Sequence, residues 1–157
     1  MKKLILAFSL FAGLTAFAQN YATGDTELDK TLVSVNTNAK TNIPDFKNRV
    51  VKTYGTNLNQ VNSLFAGGMT AGDIIMSYEI AKVINKPVGV VLVEWSKNKL
   101  TGWGLIAKNL GIKPGSAEFH QLKNNTKSHS GGVKPGKGNG NSGAHGNGNH
   151  GHGNGKK

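Results

Sequence analysis

Cysteine is absent from this sequence. That excludes disulfides, thiolate zinc sites, iron–sulfur clusters, thiol catalysis and a lipidated N-terminal cysteine. Acidic residues are few, eight against nineteen Lys and Arg, and none lies beyond Glu118. Aromatics make up 7% of the chain and prolines number four. There is no H-E-x-x-H, G-x-S-x-G or P-loop motif, so the sequence offers no zincin, hydrolase-elbow or nucleotide-cradle signature. GKGNGNSG at residues 136–143 is glycine-rich but follows no strand and opens no helix. Within 157 residues, of which 37% are hydrophobic, there is material for one small core and no covalent staple to reinforce it.

The first eighteen residues, MKKLILAFSLFAGLTAFA, combine Lys2 and Lys3, an apolar run from Leu4 to Leu14, and small residues on either side of Phe17. A positive start, a short apolar stretch and an Ala-x-Ala ending are the features of a signal peptide cleaved after Ala18. The run is shorter than the ~20 apolar residues a membrane span requires. The expectation is an exported chain, periplasmic or secreted, with no transmembrane segment in the mature form.

From Asp25 to Lys123 the apolar residues recur at helical spacing. Leu28, Leu32, Val35 and Ala39 form one stripe, with Thr26 and Asp29 placed as a capping box. Pro44 opens a helix bearing Phe46, Val50 and Tyr54, closed by Gly55. Leu58, Val61, Leu64 and Phe65 precede Gly67 and Gly68; Thr70 and Asp73 form a second capping box ahead of Ile74, Tyr78, Ala81 and Ile84. Residues 88–95, VGVVLVEW, carry enough β-branched side chains for a strand, but a lone strand among helices has no partner, and helix is the preferred reading. Trp103, Ile106, Ala107 and Leu110 follow, stopped by Gly111, and Ser116 caps a last turn with Phe119 and Leu122. The expected fold is all-α: six or seven short helices spanning residues 19–123.

After Lys123 the composition changes. Residues 124–157 hold eleven Gly, seven Asn, five Lys and four His, with Val133 and Ala144 the only aliphatic side chains. Such a segment buries too little apolar surface to offset its chain entropy, and a disordered tail is expected. The formal charge of +11 divides accordingly: two units in the signal segment, four in the helical domain and five in the tail.

IAKVINKP (residues 80–87) and IAKNLGIKP (residues 106–114) are near repeats, each with a small Ala81 or Ala107 and a turn residue, Asn85 or Gly111, able to adopt the left-handed conformation. The pair looks like two helix-turn-helix hairpins. Base reading requires polar donors on the second helix, and residues 88–95 offer almost none. The hairpins are therefore expected to serve packing. The stretch WGLIAKNLGIKPGSAEFHQLK (residues 103–123), preceded by AGGMTAGDIIMSYEIAKVINKPV (residues 66–88), resembles a family of small exported bacterial proteins whose core ends in W-G-x-I-A-K-x-L-G-I-K-P-G-S-x-E-F-H-x-L-K. The resemblance covers residues 25–123. It implies an exported helical domain and carries over no catalytic residue.

Three candidate chemistries remain. His129, His145, His150 and His152 lie on a Gly/Asn backbone and suit weak binding of Ni, Zn or Cu. Lys127, Lys134, Lys137, Lys156 and Lys157, with no acid among them, suit polyanions such as extracellular nucleic acid, lipopolysaccharide or anionic glycans, bound by counterion release. A tail without any specific partner is the third possibility. Glu118 and His120 are the nearest thing to an acid–base pair, but residues two apart lie on different helix faces. Trp95, Trp103, Tyr78, Phe65 and Phe119 suit a core better than an aromatic groove, with Lys97, Lys99 and Lys108 as a rim. The reading that follows is a non-enzymatic binding or accessory protein without a resident cofactor, whose tail associates with polyanions; metal binding by the tail is the alternative, and a small enzyme with a site near Glu118 and His120 is less favoured.

Overall fold

The computed structural model describes residues 21–131. The described residues form seven helices and no strand: α1 (Thr26–Thr41), α2 (Ile43–Tyr54), α3 (Leu58–Ala66), α4 (Ala71–Val83), α5 (Val88–Asn98), α6 (Trp103–Asn109) and α7 (Ala117–Lys127). Residues 88–95 are thus helical, as the missing pairing partner requires. The segment expected from its sequence to be a signal peptide lies outside the described residues, and among those residues no helix is long and apolar enough to cross a membrane.

α4 is the axis of the domain. Every residue from Ala71 to Ala81 except Asp73 is buried, and α1, α2, α3, α5 and α7 all pack against it. Apolar residues lie on several faces of this helix, and its buried Ser77 and Glu79 are hydrogen-bonded, whereas a solvent-facing helix keeps only one apolar stripe. The stripes read from the sequence supply its surroundings: Leu28, Leu32, Val35 and Ala39 from α1, Phe46 and Val50 from α2, Phe119 and Leu122 from α7 are all buried. Leu58 departs from the pattern. It occupies the first position of α3, beyond the reach of the core, and is 46% exposed.

The stops explain the internal repeat. At the end of α4 the Asn85 amide bonds the Lys82 carbonyl and the Lys86 amide bonds that of Ala81; at the end of α6 Gly111 bonds Lys108 and Ile112 bonds Ala107. Both are Schellman motifs with a left-handed residue, Asn85 at φ 50° and Gly111 at φ 92°. The duplicated I-A-K is therefore a helix ending used twice, and its buried Ala81 and Ala107 let the next helix fold back closely.

Two expectations need correction. Thr26 and Asp29 do not cap α1; Asp25 does, accepting from the Leu28 amide at 2.8 Å, while Asp29 accepts from the Thr23 amide at 3.1 Å. The cap thus lies one residue nearer the N-terminus than the Thr26 reading. The helical domain also runs past Lys123. α7 continues to Lys127 and is followed by turns through Ser130. Thr126 stands in for an apolar residue at the same inward phase as Phe119 and Leu122, fully buried, with its hydroxyl donating to the Leu122 carbonyl at 2.8 Å. Composition registers no apolar side chain there, but a threonine with its hydroxyl satisfied presents a methyl group. Residues 132–157 lie outside the described residues.

One position in α5 offers a direct check on helix energetics. Gly89 sits exposed in the first turn, and a Cβ there meets nothing within 4 Å. Gly89→Ala is expected to raise stability by about 0.5–1 kcal/mol through lost unfolded-state entropy, read as a higher midpoint in a thermal circular-dichroism melt. A lower midpoint would contradict the assignment of α5.

Candidate functional site

The chain's first described residues form a strap. The carbonyls of Tyr21 and Ala22 accept from the amides of Trp103 and Gly104 at 2.8 and 2.9 Å. These are the first amides of α6, a helix with no side-chain cap, so main chain from eighty residues upstream satisfies its orphan donors. Tyr21 is buried, its hydroxyl bonded to the Asn36 amide and, at 3.0 Å, to Thr70. Burial, only partly offset by the Thr70 hydroxyl, pushes the phenol far above its ordinary range. Asn36 in turn accepts from the Gly72 amide at 2.7 Å. The Thr70–Asp73 capping box closes the network: Asp73 accepts from the Thr70 amide at 2.9 Å and from the Trp103 indole at 2.8 Å.

Beside this network lies a cleft of ≈250 Å³ bounded by Trp95, Lys99, Leu100, Trp103 and Asp73. The Lys99 ammonium stands 5.4 Å from the centre of the Trp95 ring. Of the five aromatics considered from sequence, only Trp95 and Trp103 meet here. Phe65 packs edge-on against Phe46, Tyr78 stacks on Tyr54, and Phe119 belongs to the face of α7 that meets the core. Trp103 is buried and Trp95 partly exposed, so the pair is mainly packing with one ring edge at the surface.

On the other side of α4, Glu79 is 1% exposed. Its Oε1 accepts from the Tyr54 hydroxyl at 2.7 Å and lies 3.1 Å from His129 Nε2, which is also 3.1 Å from the same hydroxyl. Its Oε2 and the Asn125 amide nitrogen are both buried without a partner at hydrogen-bond distance. Burial works against the Glu79 carboxylate, but the His129 and Tyr54 donors outweigh it and hold the carboxyl below its ordinary value. The same burial, with the Glu79 charge beside it, drives the Tyr54 phenol far up. Tyr54 is further stacked on Tyr78, ring centres 4.6 Å apart, and Tyr78 donates to Thr56 at 3.0 Å.

The residues singled out from sequence fall as follows. His129, expected in a metal-binding tail, is folded into the domain with its Nε2 committed to Glu79 and Tyr54. His145, His150 and His152 lie outside the described residues, and among the described residues no three His, Asp or Glu side chains converge on a metal-sized point. Lys127 pairs with Glu27 at 3.2 Å. Lys134, Lys137, Lys156 and Lys157 lie outside the described residues. Glu118 is fully exposed in the first turn of α7, its carboxyl lowered by its own backbone amide and by Ser116. His120 is exposed with its ring edge-on to Phe119.

The charges show a consistent division of labour. Asp25 and Glu27 pair with Lys123, Asp45 with Arg49, and Glu79 with His129. Asp29 and Asp73 hold the strap and the second capping box, and Glu94 accepts from Asn98 and Asn109 at 2.7 and 2.6 Å. Glu118 is engaged at its helix terminus. Each of the eight acids meets an internal donor, but among the described residues Asp29, Asp73, Glu94 and Glu118 meet only neutral ones and keep their charge. Lys82, Lys86, Lys97, Lys99, Lys108 and Lys113 make no ion pair among the described residues.

Sequence reasoning missed Glu79, Tyr54 and Tyr21 as network members. For Glu79 a signal was present: an acid inside IIMSYEIA, four residues after Ile75 and hence on the same buried face. Tyr21 carried none, because its partners lie 15 and 49 residues away. Comparison with protein-family models, with curated proteins and with solved structures produced no match.

Proposed function

We propose that this chain is an exported, non-enzymatic binding or accessory protein that associates with polyanions. The observation that carries the reading is the charge division. Nineteen Lys and Arg stand against eight acids, and Lys82, Lys86, Lys97, Lys99, Lys108 and Lys113 make no ion pair among the described residues, with further lysines in the sequence of residues 132–157. An uncompensated cationic surface attracts anionic polymers by releasing their counterions. Export rests on the lysine-led apolar segment ending in Ala16-Phe17-Ala18.

The test is retention of the full-length protein on an immobilised sulfated polysaccharide as salt is raised. Binding is expected to weaken by roughly tenfold or more for a fourfold rise in salt. Retention indifferent to salt, or none at low salt, would remove the reading. Metal binding through His145, His150 and His152 predicts the opposite signature: a Ni titration insensitive to salt and abolished by replacing those histidines.

A further inference from the structure

Two clefts meet at Thr53 and Tyr54, the C-terminal end of α2. One, of ≈100 Å³, is bounded by Arg49, Ser128 and His129. The other, of ≈350 Å³, is bounded by Tyr78, Lys82 and Lys86. Thr53 and Tyr54 line both, and no Asp or Glu lines either. The cleft at Trp95 differs in just this respect, since Asp73 forms part of its wall. Lys82 and Lys86 are exposed, and neither makes an ion pair among the described residues. Arg49 pairs with Asp45 at 3.1 Å yet leaves 40% of its side chain exposed. Asp45 lines neither cleft, and Glu79 is buried, with its Oε1 engaged by Tyr54 and His129.

We infer that this paired cleft is the point at which the folded domain grips an anionic polymer, and that the polymer is a slender acidic glycan. The inference rests on the polyanion reading above and moves a specific contact from the tail to the domain. Arg49 on one cleft, Lys82 and Lys86 on the other, and the exposed Thr53 shared by both match a chain carrying repeated sulfate or carboxylate groups separated by sugar hydroxyls. Single-stranded nucleic acid fits less well. Its sequence-tolerant binding draws on free aromatic faces, and the Tyr54 ring is already stacked against Tyr78 and His129, with Tyr78 only 6% exposed. A nucleic-acid duplex is too broad to enter either cleft.

The experiment uses the full-length chain and a fluorescent heparin octasaccharide, with Kd read by anisotropy at fixed moderate salt. Lys82→Glu/Lys86→Glu is compared with Lys97→Glu/Lys113→Glu, an equal charge change at exposed lysines that line neither cleft. A circular-dichroism melt confirms that each variant folds. The first pair is expected to lose affinity by roughly 10- to 100-fold and the second by no more than about threefold. Equal losses would overturn the cleft assignment while leaving general polyanion binding standing. No salt-sensitive binding by the unaltered protein would overturn both. Tighter binding of a mixed-sequence single-stranded DNA 12-mer, with the same dependence on Lys82 and Lys86, would overturn the glycan assignment.

Discussion

Gly104→Ala is expected to destabilise the domain by about 2–4 kcal/mol, lowering the melting midpoint by roughly 10–15 °C. A Cβ at this position would stand 2.8 Å from the Ala22 carbonyl oxygen and 2.9 Å from that of Thr23. Both are backbone atoms and cannot swing aside as a flexible side chain does. The strap must move, and with it go the bonds that cap α6 and the seating of the buried Tyr21. The same chemical change at Gly89, where the space is open, is expected to act in the opposite direction. Equal effects at the two positions would show that helix propensity, not the strap, governs both.

Removing the buried carboxylate has the second large effect. Glu79→Ala leaves Tyr54 and His129 without their common acceptor at a buried position, and is expected to cost about 3–5 kcal/mol. Denaturant unfolding of the variant and the unaltered protein measures the loss directly. A difference below about 1 kcal/mol would mean that the cluster is decorative. The pH dependence follows from the depressed carboxyl. Because the folded protein holds Glu79 ionised below its ordinary value of 4.5, its contribution is complete above that pH and declines as the pH falls through the lower folded value. Asp25 and Glu27, both lowered by their contacts, add to the same acid-side decline. Glu79→Gln should therefore flatten part of the stability profile below pH 4.5 and leave the remainder. An unchanged acid limb would overturn the assignment.

What could be read from the sequence follows from the range of the forces involved. Caps, stops and stripes act within four residues, so Thr70–Asp73, Ser116, Asn85, Gly111 and the α1 stripe were all legible. The contacts that organise the surface bridge far longer separations: 30 residues between Asp73 and Trp103, 50 between Glu79 and His129, 98 between Asp25 and Lys123. No periodicity announces such pairs. The boundary at Lys123 fell short for a related reason. Polar residues at inward positions, Thr126 with its hydroxyl satisfied and His129 with a carboxylate to meet, look like tail until their partners are known. The candidate site was legible only as a sum of charge. Its place at Thr53 and Tyr54 depends on where the end of α2 meets α4, and that is a property of the assembled core.

The strap also sets an order of events. Its amide partners at Trp103 and Gly104 are made some eighty residues after Tyr21, so in a chain synthesised from its N-terminus the two backbone bonds that join the strap to α6 form only once six of the seven helices have appeared. The Asp25–Lys123 ion pair and the bond from the Asn38 amide to the Ser130 carbonyl close still longer loops. Closing loops of this length carries an entropy that local helix formation does not, and it slows folding accordingly. For all its helical content, this domain should reach its native state late, when its two ends are clasped together, and any fragment ending before α6 should remain without a settled beginning.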